Sequence, residues 1–283
     1  MGNLSVSNRK TIAAALIALC AVIFTACAAN KTPVNAERDK PQTPIAECGE
    51  AIAPSLSEAE IYYNDALIYY NNGANGKAIA SFNTAIELDS RKAESYNSRG
   101  VAYASAGDYE RALADFDKAI EIAPDFAPPY SNRGLVFDNL GAYAKAIIEF
   151  DRAIALEPSY AGAYYNRGAA YYKLGDNNKT IDDLSQAIGL DPNNISAYLV
   201  RGFARSNLGD HYKAIDDFNK AIELNPTFAQ AYYNRANEYL ELNDTNRAKA
   251  DFDKAIAVDP RDAIAYYNRA IFRAHIRDYD DAL

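Results

Sequence analysis

The chain has 283 residues, 29 basic and 38 acidic, for a net charge of −9, and 49 % of them are hydrophobic. This is the composition of a globular protein; it excludes a wholly disordered or collagen-like chain, and the acidic balance argues against a nucleic-acid binder, which needs clustered cations. Three cysteines are too few for a disulfide framework, two histidines leave little for metal or acid–base chemistry, and 22 tyrosines without a tryptophan suggest one position used many times.

At the N-terminus, Arg9 and Lys10 precede an apolar run from Thr11 to Ala26, with the small residues Ala26, Cys27, Ala28 and Ala29 at its end. A short basic region, an apolar stretch and small residues read as a secretory signal, and the run is shorter than the ~20 residues of a spanning helix. The segment Ile23-Phe24-Thr25-Ala26-Cys27 resembles the lipobox of bacterial lipoproteins, with Phe24 where Leu is usual. Cys20, after bulky Leu19, fits worse. The resemblance implies a signal over residues 1–26 and lipidation of Cys27. With Ala28 following rather than Asp, it also implies an outer-membrane destination. Ordinary cleavage after Ala28 or Ala29, or an uncleaved anchor, are the alternatives the residues leave open.

Residues 27–58 contain Pro33, Pro41, Pro44 and Pro54 among polar residues and show no apolar period. They are expected to form a flexible, semi-extended tether. Cys48 within it reads as an exposed thiol without function.

From residue 59 the chain repeats every 34 residues, in units 59–92, 93–126, 127–160, 161–194, 195–228, 229–262 and a partial 263–283. Position 4 of each unit is Tyr, from Tyr62 to Tyr266. Position 8 is Gly or Ala, position 24 is Phe or Leu, and position 27 is Ala. Position 32 is Pro in units two to six. Positions 4, 8 and 11 fall at helical spacing on a first helix, and positions 20, 24, 27 and 28 on a second. Gly or Asn at position 15 closes the first helix in a left-handed conformation. Asp108, Asp176, Asp210 and Asp244 follow it and cap the second helix. One hairpin of this kind cannot bury both faces, so hairpins stack into a solenoid.

Period and pattern together resemble the tetratricopeptide repeat (TPR) over 59–283. The resemblance implies an all-α fold, a right-handed superhelical solenoid of antiparallel helix pairs. Position 7 is Arg in units two to seven (Arg99, Arg133, Arg167, Arg201, Arg235, Arg269), and position 23 is acidic in units two to six (Asp115, Glu149, Asp183, Asp217, Asp251). Half-buried ion pairs between the helices are expected, because the guanidinium fork suits a carboxylate. The first unit departs at both places, with Asp65 and Ser81.

In the TPR family, positions 2, 5, 6, 9, 12 and 13 line a concave groove. Here position 6 gives Asn64, Asn132, Asn166, Asn234 and Asn268, interrupted by Ser98 and Val200. The row resembles the asparagine ladder of O-linked N-acetylglucosamine transferase, and such amides can bond the backbone of an extended peptide. Tyr63, Tyr70, Tyr165, Tyr172, Tyr233 and Tyr267 accompany it and add contact area. No lysine stands at position 5, so the carboxylate clamp of chaperone-binding TPR domains is missing.

No HExxH, phosphate-binding loop, GxSxG or dinucleotide motif occurs. His211 and His275 read as surface residues near inter-helix turns. No catalytic residue, metal or cofactor is expected. The expected function is a non-catalytic, lipid-anchored scaffold of the bacterial envelope that binds peptide segments of partner proteins. The alternative is the N-terminal part of a larger envelope enzyme or assembly component. The seventh unit stops at position 21, which leaves end-to-end self-association as a further possibility.

Overall fold

The structure is a computed structural model that describes residues 56–275. The signal and the tether as far as residue 55, with Cys27 and Cys48, lie outside the described residues, as do residues 276–283 and the side chain of His275.

The described residues form thirteen helices and no strand. The first helices of the seven units are α1 (Glu58–Asn71), α3 (Ala93–Ser105), α5 (Ala127–Asn139), α7 (Ala161–Lys173), α9 (Ile195–Asn207), α11 (Ala229–Glu241) and α13 (Ala263–His275). The second helices are α2 (Asn75–Leu88), α4 (Tyr109–Ile122), α6 (Tyr143–Leu156), α8 (Asn177–Leu190), α10 (His211–Leu224) and α12 (Thr245–Val258).

The local chemistry of each boundary is visible. Ser57 and Glu60 form a reciprocal capping box at the start of α1. The side chains of Asp108, Asp176, Asp210 and Asp244 accept from backbone N–H groups in the first turns of α4, α8, α10 and α12. Five position-15 glycines lie at φ between +75 and +81°, and Asn243 takes the same place at φ 60°. Those residue types tolerate the left-handed region at which the first helices stop.

The core of a unit is a large residue on the second helix against a small one on the first. Phe82, Phe116, Phe150, Leu184, Phe218 and Phe252 are buried, as is the position-27 alanine beside each. A Cβ added to Gly134 would lie 2.7 Å from the Phe150 ring. The absence of a side chain therefore sets how closely the two helices approach. Each buried Phe is worth about 1.5–3 kcal/mol in transfer free energy, so position 24 anchors each hairpin.

From α3 to α11, each first helix packs on its own second helix and on the second helix of the preceding unit. Successive first helices also touch, whereas successive second helices make no comparable contact among the described residues. The stack therefore curves with its first helices on the inner face. Tyr130 and Tyr232 donate from their phenols to the carbonyls of Pro124 and Pro226, tying position 4 to the preceding inter-unit turn.

The position-7 arginines make the expected pairs. Arg99, Arg133, Arg167, Arg201 and Arg235 bond Asp115, Glu149, Asp183, Asp217 and Asp251 across each hairpin. Each also reaches an acceptor at position 25 of the preceding second helix: Asn83, Asp117, Asp151, Ser185 and Asn219. One guanidinium thus joins three helices. It also stacks over the position-4 tyrosine one turn back, as Arg167 does at 5.6 Å from the Tyr164 centroid. Bonds to Asp183 and Asp151 raise the Arg167 pKa against the opposing effect of burial.

Candidate functional site

The inner face follows from the register of the first helices. Tyr63 and Ser98 share a hydrogen bond of 3.1 Å, and Asn132 Nδ2 donates to Asn97 Oδ1 at 2.9 Å. These link position 5 of one unit to position 6 of the next. Tyr70 and Ser105 meet at 3.0 Å, and Lys173 pairs with Asp138 at 2.5 Å, which link position 12 to position 13. Positions 5, 6, 9, 12 and 13 are spaced by three, four and seven, so they form one stripe on each helix. The seams between stripes close by side-chain pairs.

The candidate residues divide along this surface. Asn64 is exposed, and Asn132, Asn166 and Asn268 are half-buried. Asn234 is buried and its amide donates to the Gln230 carbonyl one turn back, at 2.8 Å. Tyr63, Tyr70 and Tyr172 are half-buried; Tyr172 lies 6.3 Å from the Phe203 ring. Tyr165 is buried in the seam with Leu184, Ala197 and Val200. Tyr233 is buried too, and desolvation pushes its phenol well above the usual range. Tyr267, on α13, is 63 % exposed. The structure therefore brings Asn64, Asn132, Asn166, Tyr63, Tyr70 and Tyr172 together as an accessible face, while Asn234, Tyr165 and Tyr233 line its seams.

Three features were not foreseen from the sequence. Half-buried Leu67, Val101 and Leu135 at position 9 give the groove an apolar floor in its first three units. The Asp138 carboxylate, with its side chain only 3 % exposed, pairs with Lys173 and leaves Oδ1 without a hydrogen bond. The opposite charges at positions 12 and 13, thirty-five residues apart, were the available signal. His211 is not a plain surface residue: its Nδ1 lies 2.7 Å from Oε2 of buried Glu238, whose Oε1 accepts from Ser206. Glu238 stands at position 10, which is Ala in three other units, and that departure was the signal.

The amides on this face carry hydrogen-bond donors and acceptors. Lys173, the lysine among the lining positions, is paired with Asp138, and Glu60, Glu94 and Glu241 are acidic. Among the described residues, no group of three or more His, Cys, Asp or Glu is placed to hold a metal ion. No described helix is long and apolar enough to cross a membrane.

Comparison with known proteins agrees with this architecture. Tetratricopeptide repeat profiles match residues 93–126, 161–194, 195–228 and 229–262, and a further one matches 252–283. A related TPR repeat profile matches 66–107 and 137–175. No curated protein matches the chain. Among solved structures, YrrB, a TPR protein with an unusual peptide-binding site, is 28 % identical with a TM-score of 0.58, over 66 % of this chain and 97 % of its own. MamA is 26 % identical at a TM-score of 0.55, over 58 % of this chain and 96 % of its own. PilW, a widely conserved type IV pilus biogenesis factor, shares the fold at 20 % identity and a TM-score of 0.66, over 74 % of this chain and 97 % of its own. With repeat profiles spanning 66–126 and 137–283 and TPR proteins among its structural neighbours, the chain belongs to the tetratricopeptide repeat family.

Proposed function

We propose that the protein is a non-catalytic scaffold that binds extended segments of partner proteins on the inner face of its first helices. The observation that carries this reading is the row of exposed or half-buried amides and tyrosines, Asn64, Asn132, Asn166, Tyr63, Tyr70 and Tyr172, above the apolar floor of Leu67, Val101 and Leu135. Amides fix the partner's backbone and aromatics supply contact area. The likeness to YrrB supports a peptide as ligand. The acidic Glu60, Glu94 and Glu241 favour a neutral or basic segment over an anionic tail. A lipid on Cys27 would hold the array at a bacterial membrane, in the outer membrane on its periplasmic side, with residues 28–57 as spacer.

The test is capture of partners from solubilised membranes with the full chain and with an Asn64→Ala, Asn132→Ala, Asn166→Ala variant. The reading expects unchanged helicity and loss of the captured proteins. Retained capture overturns it. Mass analysis of the purified chain tests the anchor: a diacylated N-terminal Cys27 supports it, and an unmodified terminus after Ala28 or Ala29 refutes it.

A further inference from the structure

Helix α1 presents to solvent a stripe that every later first helix keeps covered. Position 3 is Ser95, Pro129, Ala163, Ala197, Ala231 and Ala265 in units two to seven, and all six are buried against the preceding unit. Position 10 is equally buried in those units, from Ala102 to Phe272. On α1 the same positions are Ile61 and Ile68, 48 % and 57 % exposed. Between them, on the same stripe, stands exposed Asp65, where every later first helix carries the ladder arginine.

The substitution inverts the chemistry of the interface. Inside the array a long cation on the first helix meets a short acceptor on the covering helix, as Arg133 meets Asp117 at 2.5 Å. Asp65 is short and anionic, and among the described residues it has no ion pair or hydrogen bond. A helix that covered α1 in the manner of the array would therefore have to supply the long cation itself. Ile61 points the same way. It is bulkier than the Ser, Pro or Ala of later units, so a helix docked over it would sit farther out than in the array, where a longer side chain reaches better than a short one. The chain's own second helices do not fit, because position 25 holds Asn83, Asp117, Asp151, Ser185, Asn219 and Asp253, none of them a cation.

We propose that the outer face of α1 docks a basic amphipathic helix of a partner protein, with a Lys or Arg over Asp65 and an apolar flank on Ile61 and Ile68. The docking stripe at positions 3, 7 and 10 is a different face of α1 from the groove positions 5, 6, 9, 12 and 13.

The test uses two labelled, helix-stapled peptides copied from Tyr109–Ile122, an interior covering helix. One keeps Asp117 and the other carries Asp117→Arg. Each is titrated against the 283-residue chain by fluorescence anisotropy. The Arg peptide is expected to bind at least tenfold more tightly, with an advantage that shrinks as salt rises. Asp65→Arg in the chain reverses the preference, and Ile68→Glu, at an exposed site that leaves folding intact, abolishes binding. The groove variant at Asn64, Asn132 and Asn166 leaves both titrations unchanged. Equal affinity for the two peptides, or a preference that survives Asp65→Arg, overturns the proposal. So does the failure of the Arg peptide to bind. Concentration-dependent self-association that Ile68→Glu abolishes would make a second copy the occupant and equally overturn it.

Discussion

Replacing Arg167 by Met removes one guanidinium and leaves its stem. Arg167 Nε and Nη2 donate to Asp183 at 2.8 and 2.6 Å, and Nη1 donates to Asp151 on the preceding hairpin at 2.6 Å. The Arg167 side chain is 19 % exposed and that of Asp183 only 8 %. After the substitution Asp183 stays buried without its cation. Losing one partner of a buried pair costs about 3–5 kcal/mol, and partial hydration here lowers the expectation to about 2–4 kcal/mol. For an array of this size that corresponds to a fall in melting temperature of roughly 5–15 °C. The loss falls at the joint between units three and four, so the two halves of the solenoid should also unfold less cooperatively. Urea denaturation followed by circular dichroism, with amide exchange resolved by helix, measures both effects. The paired variant Arg167→Met, Asp183→Leu should be less destabilised than Arg167→Met alone, because no buried charge is stranded. A single variant within about 0.5 kcal/mol of wild type, the usual range of neutral surface changes, would refute the structural role of the ladder.

Other outcomes follow from named contacts. Gly189 lies inside α8 with open space where a Cβ would go, so Gly189→Ala should raise stability by about 0.5–1 kcal/mol in urea melts. His211→Ala leaves the buried Glu238 carboxylate with Ser206 as its remaining partner and should cost about 1–3 kcal/mol, whereas Glu238→Ala restores the alanine of other units and should be near neutral or stabilising. Hydrogen bonds from Arg111, Lys179, Lys213 and Arg247 lower the pKa values of the capping residues Asp108, Asp176, Asp210 and Asp244. A lowered carboxylate pKa contributes stability that is present above the unfolded value near about 4 and is lost as pH falls through the folded value. The melting temperature should therefore drop on acidification below that point, and changing all four to Asn should flatten the drop. Asp217 runs the other way, because burial raises its pKa despite the Arg201 bond.

Much of this architecture could be read from sequence because it is repeated. Position 4 recurs with fixed identity, the Gly–Phe contact, the left-handed Gly and the Arg–acid ladder recur with one or two closely similar residue types, and periodicity exposes such recurrence. The second partner of the ladder stayed hidden because position 25 changes between Asn, Asp and Ser, which share only an acceptor oxygen. Cations at position 19 stacked on aromatics at position 11, such as Arg111 over Tyr103 at 4.5 Å, were hidden in the same way, since both vary in type. The groove was legible as a register but not as a surface. Tyr165 folds into its seam because Val200 of the next unit offers it an apolar neighbour in place of an amide. Asn234 turns to its own helix backbone rather than outward. Such choices depend on the neighbouring unit, which a single position does not encode. The His211–Glu238 contact breaks the repeat, so periodicity discarded it.

The central claim, that partners are held on the first-helix face, is tested most directly by site-specific photo-crosslinking in cells. A benzoylphenylalanine placed at Asn64 or Asn166 reports the inner face; one at Ile148 or Tyr212, both highly exposed on second helices, reports the outer. The account predicts a discrete set of crosslinked proteins from the two inner positions and none in common from the outer ones. The same partners crosslinked from Ile148 or Tyr212, with the inner positions silent, would contradict it.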